Sequence, residues 1–182
     1  MSAQAQAVDV FDLVIFGGTG DLALRKLVPA LFQRYADGQV PAGSRIVAIA
    51  RDALDESAYR DRVRAALARA GDKLDGDVLA HFLELVHYRA LDATADPGWD
   101  ELAAFLAGAE KRVRVFYLAT GADVFMPICA RLGALGLTGG EVRVVIEKPI
   151  GSDLKSAAAI NDAVGRSFAE RQIFRIDHYL GK

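Results

Sequence analysis

The sequence predicts an α/β fold: a doubly wound, mostly parallel sheet with helices on both faces. Short apolar runs alternate with helix-patterned stretches about six times along the 182 residues, the order that builds parallel sheets. Several runs are apolar throughout rather than alternating, as in strands buried on both sides. The first run, Leu13 to Phe16, also passes through Gly17-Gly18-Thr19-Gly20 straight into a helix. A strand, a glycine turn and a helix start together present backbone N–H groups at the positive end of a helix dipole, a ready site for phosphate. The expected architecture is therefore a Rossmann-like dinucleotide-binding domain.

Taken in order, residues 1 to 9 show no pattern and are expected to form a flexible tail, with 10 to 182 as the domain. Asp21 falls in the first helical turn, where an acid suits the dipole. Leu22, Leu24, Leu27, Val28, Leu31 and Phe32 recur at helical spacing and predict a buried stripe. Gly38, Pro41 and Gly43 break the chain before a second strand, Arg45 to Ala50, with Arg51 at its end. Ser57 to Ala70 and Val78 to Val86 read as helices, and Val86 to Leu91 as a short strand. Asp96-Pro97-Gly98 turns into a helix from Trp99 to Leu106. Val113 to Ala119 is a strong strand, Val124 to Leu135 a helix, and Val142 to Ile146 a strand. Ser152-Asp153 offers an N-cap region for a helix from Leu154 to Phe168, and Ile173 to Ile176 is the last strand.

Composition narrows the function. A net charge of −2 argues against general affinity for nucleic acid or anionic membrane. The single cysteine, Cys129, leaves no internal disulfide and fits a reducing cytoplasm. No apolar run is long enough to span a bilayer, and the N-terminus lacks the basic and apolar regions of a signal peptide. No metal is expected. His81 and His87 are isolated and read as structural or surface residues.

Ligands of such sheets lie outside the carboxyl ends of the strands, so the residues just after each strand are the ones to question. Arg51 occupies the position that meets the adenosine ribose; an arginine there accommodates a 2′-phosphate and argues for NADP over NAD. Asp52 follows it and leaves NAD open as well. Glu147-Lys148-Pro149-Ile150-Gly151 ends another strand and places a lysine towards the cleft. At the far end, Arg175-Ile176-Asp177-His178-Tyr179-Leu180-Gly181-Lys182 crowds an acid, a histidine, a tyrosine and a lysine at one strand end. Two cations and a phenol suit a phosphate dianion.

Three motifs together resemble the glucose-6-phosphate dehydrogenase family: Gly17-Gly18-Thr19-Gly20-Asp21-Leu22-Ala23 with Lys26-Leu27, then Glu147-Lys148-Pro149 with Gly151, then Arg175 to Lys182. The last is the family's signature, and the likeness covers Phe11 to Lys182. The resemblance implies oxidation of D-glucose 6-phosphate to 6-phospho-D-glucono-1,5-lactone with NADP⁺, the entry step of the oxidative pentose phosphate pathway. It implies that Gly17, Gly18, Thr19, Gly20, Asp21 and Leu22 cradle the pyrophosphate and that Arg51 meets the 2′-phosphate. Lys148 would lie between cofactor and sugar, and Lys26 near the substrate. His178, Tyr179 and Lys182 would hold the sugar phosphate. Asp177 would orient a catalytic histidine. In the family that histidine, further sugar contacts and the surface of a homodimer or homotetramer belong to a second domain beyond the signature. The chain is accordingly expected to be the coenzyme-binding portion, inactive alone. Gly121-Ala122 stand where the family often has a proline pair.

Two other readings compete. The glucose–fructose oxidoreductase/inositol dehydrogenase type also places Glu-Lys-Pro after a Rossmann strand, but lacks the Arg175–Lys182 stretch. A dinucleotide-binding module without catalysis would share the glycine turn and Arg51 alone.

Overall fold

The computed structural model describes residues 8–71, 75–108, 112–147, 150–151 and 153–176. Among them run six strands: β1 (Phe11–Phe16), β2 (Arg45–Ala50), β3 (Val86–Ala90), β4 (Val113–Leu118), β5 (Val142–Glu147) and β6 (Ile173–Ile176). The helices between them are α1 (Val28–Ala36), α2 (Glu56–Ala70), α3 (Gly76–Glu84), α4 (Trp99–Leu106), α5 (Phe125–Ala134) and α6 (Leu154–Ser167). The strands pair in the order β3-β2-β1-β4-β5-β6, every pair parallel. Strand order therefore reverses between β1 and β4, which opens a crevice at their carboxyl ends.

Alternate side chains of each buried strand feed two cores. Val14, Phe16, Val47, Ile49, Phe116 and Leu118 pack with Trp99, Ile128 and Val164 on the α4–α5–α6 face. Ile15, Ile46, Ala48, Val86 and Tyr88 pack with Phe32, Tyr59 and Phe82 on the α1–α2–α3 face. Apolar burial on both faces explains the unbroken apolar runs. Helix starts follow local chemistry: the Asp55 and Asp153 carboxylates accept the backbone N–H groups of Ala58 and Ser156 at 2.7 Å. Cys129 lies in the core, and burial pushes its thiol up to about 12. The folded chain should not react with Ellman's reagent at pH 8, and denaturant should expose one reactive thiol.

Two expectations need correction. The helix predicted over Val78 to Val86 ends at Glu84, and Val86 already belongs to β3. The leucine stripe after the glycine turn is only partly buried. Ala23, Val28, Pro29 and Phe32 are the buried residues, whereas Leu22, Leu24, Leu27 and Leu31 are half-exposed. Leu24 and Leu27 fall within a π-helical turn, Ala23–Leu27, closed by Val28 N–H to the Ala23 carbonyl. Pro29 cannot donate to the carbonyl four residues back, and its ring crowds that oxygen. A wider turn relieves the crowding and rotates the helix that precedes it out of phase.

Candidate functional site

The crevice between β1 and β4 is a cleft of about 560 Å³ lined by Gly17, Thr19, Gly20, Arg51, Asp92 and Thr120, among others. A second cleft, about 720 Å³, shares Thr120, Gly121 and Asp123 with the first and runs past Glu147 to α6. The two form one trough across the carboxyl ends of the strands.

The glycine turn is held tightly. Gly17 has φ +87°, in the left-handed region, and a Cβ there would stand 2.4 Å from the Ala119 carbonyl oxygen. A Cβ on Gly18 would meet the Ala48 Cβ at 2.6 Å. The Gly17 and Gly18 N–H groups both donate to the Ile49 carbonyl at 2.9 Å, and Gly20 N–H donates to the Gly17 carbonyl. These three amides are therefore not the outward-facing donors that the strand–turn–helix pattern suggested. The helix begins with Leu24 N–H on the Gly20 carbonyl, so the Asp21 and Leu22 amides fall in the first turn, where amides have no intrahelical acceptor.

Arg51 is exposed at the end of β2 and lines the cleft. Across from it, Asp92 is held below the ordinary carboxyl range by hydrogen bonds from the Thr94 backbone and hydroxyl, with a smaller contribution from the Arg51 charge. Asp52 points to Arg62, 3.8 Å away on α2. Lys26 is exposed on the π-helical turn. Neither it, Asp21 nor Leu22 lines either cleft. Lys148, Pro149, Asp177, His178, Tyr179 and Lys182 lie outside the described residues.

The Thr120 hydroxyl, at the wall between the clefts, is buried with no hydrogen-bond partner. The Tyr117 hydroxyl donates to the Glu147 carboxylate at the end of β5. Burial, that hydrogen bond and the adjacent charge raise the Tyr117 phenol well above its ordinary value. Gly121 has φ −63° and ψ 152°, the backbone a proline would impose. The missing proline pair therefore leaves the loop before α5 on a proline-like path.

His87 is not isolated. Its ring touches Glu56 at 3.2 Å and packs edge-on to Phe105, which also lies under the guanidinium groups of Arg45 and Arg89. Burial lowers the His87 pKa, so the contact with Glu56 at neutral pH is a hydrogen bond rather than an ion pair. Among the described residues no group of three or more His, Cys, Asp or Glu could hold a metal ion, and no helix is long and apolar enough to cross a membrane.

A family model described as the NAD-binding domain of glucose-6-phosphate dehydrogenase matches residues 14–182. This chain belongs to that family. It is 50% identical to a glucose-6-phosphate 1-dehydrogenase of Mycolicibacterium smegmatis over its whole length, covering 38% of that protein. It is 48% identical to the Gluconobacter oxydans enzyme of the same name, with 97% of this chain and 37% of that one aligned. The crystal structure of glucose-6-phosphate 1-dehydrogenase from Mycobacterium avium superposes with a TM-score of 0.87 at 32% identity, over 96% of this chain and 37% of that chain. A glucose-6-phosphate dehydrogenase solved with glucose 6-phosphate gives 0.85 at 34%, over 99% and 39%. The chain thus spans under two fifths of the glucose-6-phosphate dehydrogenases it matches. A ketoreductase from the first module of phoslactomycin biosynthesis in Streptomyces shares only the fold, at 17% identity and a TM-score of 0.55.

Proposed function

We propose that this chain is the coenzyme-binding part of an NADP-dependent glucose-6-phosphate dehydrogenase. The carrying observation is the trough at the β1/β4 reversal, with the glycine turn on one side and Arg51 on the other. A dinucleotide suits it: Gly17 and Gly18 admit no side chain, which lets a phosphate approach the backbone closely, and the Thr120 hydroxyl at the wall between the clefts is buried without a partner among the described residues. Arg51 supplies fork-like, charge-assisted donors for a 2′-phosphate. The nicotinamide, when bound, accepts hydride from C1 of the sugar.

Within this reading, residues 10–182 form the coenzyme domain, and the general base comes from the part of the relatives that this chain does not match. Lys148, next in sequence to Glu147, would serve both cofactor and sugar, as the family resemblance implies. Lys26, His178, Tyr179 and Lys182 would bind the substrate and its phosphate, with Asp177 orienting the base. A homodimer or homotetramer working in the cytoplasm completes the reading.

Calorimetric titration with NADP⁺ and NAD⁺ tests it. Saturable NADP⁺ binding is expected, and Arg51→Ala should weaken it by about ten- to a hundred-fold, the worth of hydrogen bonds to a charged group, while NAD⁺ binding changes little. A folded chain that bound neither nucleotide would refute the assignment.

A further inference from the structure

Two buried tyrosines lie beneath the trough without lining it. Tyr59, on α2, donates its hydroxyl to the Gly18 carbonyl at 2.8 Å. Tyr88, on β3, donates to the Asp52 carbonyl at 2.7 Å, with the Ala50 carbonyl 3.2 Å from the same oxygen. Those two carbonyls flank Arg51. The rings stack with centroids 4.8 Å apart and planes 20° from parallel, and neither residue is more than 3% exposed.

We propose that the Tyr59–Tyr88 stack is a positioning element that sets the glycine turn and the Arg51 loop as one unit, and with them the discrimination between NADP⁺ and NAD⁺. The inference rests on the nucleotide reading above. Gly18 is held from both sides, its N–H by the Ile49 carbonyl and its carbonyl by Tyr59. The Arg51 loop has no strand neighbour beyond Ala50, and the Tyr88 hydroxyl takes over where the β2–β3 ladder stops. Burial and the Asp52 charge push the Tyr88 phenol up to about 12, so it remains a donor throughout the physiological range. Face-to-face rings in a close-packed core transmit displacement from one hydroxyl to the other. The stack therefore links the subsite common to both coenzymes to the one that only NADP⁺ uses.

The test compares the wild-type chain with Tyr59→Phe and Tyr88→Phe, which keep the rings and remove one donor each. Losing one neutral hydrogen bond is worth roughly three- to ten-fold in an equilibrium. Tyr88→Phe is expected to weaken NADP⁺ by that factor and leave NAD⁺ near wild type, so the preference falls. Tyr59→Phe should weaken both coenzymes alike, and the double variant should lose less than the product of the two. A purely structural role would lower Tm and leave the NADP⁺/NAD⁺ ratio unchanged; that result would overturn the proposal. Amide exchange of residues 51–54 without nucleotide reads the clamp separately and should accelerate in Tyr88→Phe by a similar factor. Unchanged exchange would overturn the clamp, whereas a wild type binding neither coenzyme would overturn the nucleotide reading.

Discussion

Asp12→Ala is expected to destabilise the chain by about 3–5 kcal/mol, the range for removing one partner of a buried ion pair. The Asp12 side chain is fully buried inside β1 and faces three guanidinium groups. Arg45 binds it through two nitrogens at 2.8 and 2.7 Å, and Arg112 approaches to 3.2 Å. Arg45 and Arg112 also donate to the Phe105 and Gly43 carbonyls, so losing the carboxylate leaves like charges crowded at one end of the sheet. Burial alone would raise the Asp12 pKa; the Arg45 hydrogen bonds and the three positive charges outweigh it and hold the carboxyl below its ordinary 3.8. The sign follows: with the folded value lowered, the stabilisation is complete above about pH 4 and fades as pH falls through the folded value. Urea unfolding of wild type and Asp12→Ala between pH 3 and 7 checks this. The variant should be much weaker at neutral pH and should show a shallower acid slope, the remainder coming from the other lowered carboxyls such as Asp92 and Glu56. A variant within 1 kcal/mol of wild type, with the slope intact, would contradict it.

Gly17→Ala should be nearly as damaging to stability and should abolish nucleotide binding. Its φ of +87° costs an L-residue about 1–2 kcal/mol. The added methyl would stand 2.4 Å from the carbonyl oxygen and 2.9 Å from the carbonyl carbon of Ala119, just past the end of β4. That neighbour is backbone, so relief requires prising β4 from β1 at the trough itself, and overpacking of this kind costs about 1–3 kcal/mol more. Gly20→Ala is the control. Gly20 has no positive φ, and its added methyl meets only the Gly17 carbonyl oxygen, at 3.1 Å. Denaturation and NADP⁺ titration of both variants should separate them widely. Equal stabilities would show that the turn is looser than its geometry indicates.

Other consequences of the trough are less drastic. Arg51→Ala leaves the fold intact because its side chain is exposed. The Tyr59 and Tyr88 hydroxyls act on the same trough only through the carbonyls they hold.

The order of strands and helices, the glycine turn and the place of Arg51 were legible in the sequence. Each depends on near neighbours along the chain: apolar runs, helical spacing, turn residues. Trp99–Leu106 and Ile173–Ile176 even begin and end where their patterns do. The π-helical turn was missed because a stripe counted at 3.6 residues assumes an unbroken α-helix, although Pro29 was the available signal. His87 looked isolated because its partners, Glu56 and Phe105, lie 31 residues before it and on a different helix. The partners of Asp12 are equally distant along the chain. Parallel register sets it directly beside Arg45 on one neighbour and Arg114 on the other. The sequence by itself thus determined which segments form the sheet and which of their ends border the trough. Only the tertiary structure decided that three arginines converge on one buried carboxylate and that two stacked tyrosines hold the carbonyls of Gly18 and Asp52. Strand order and register bring those residues together, and no local periodicity encodes either one.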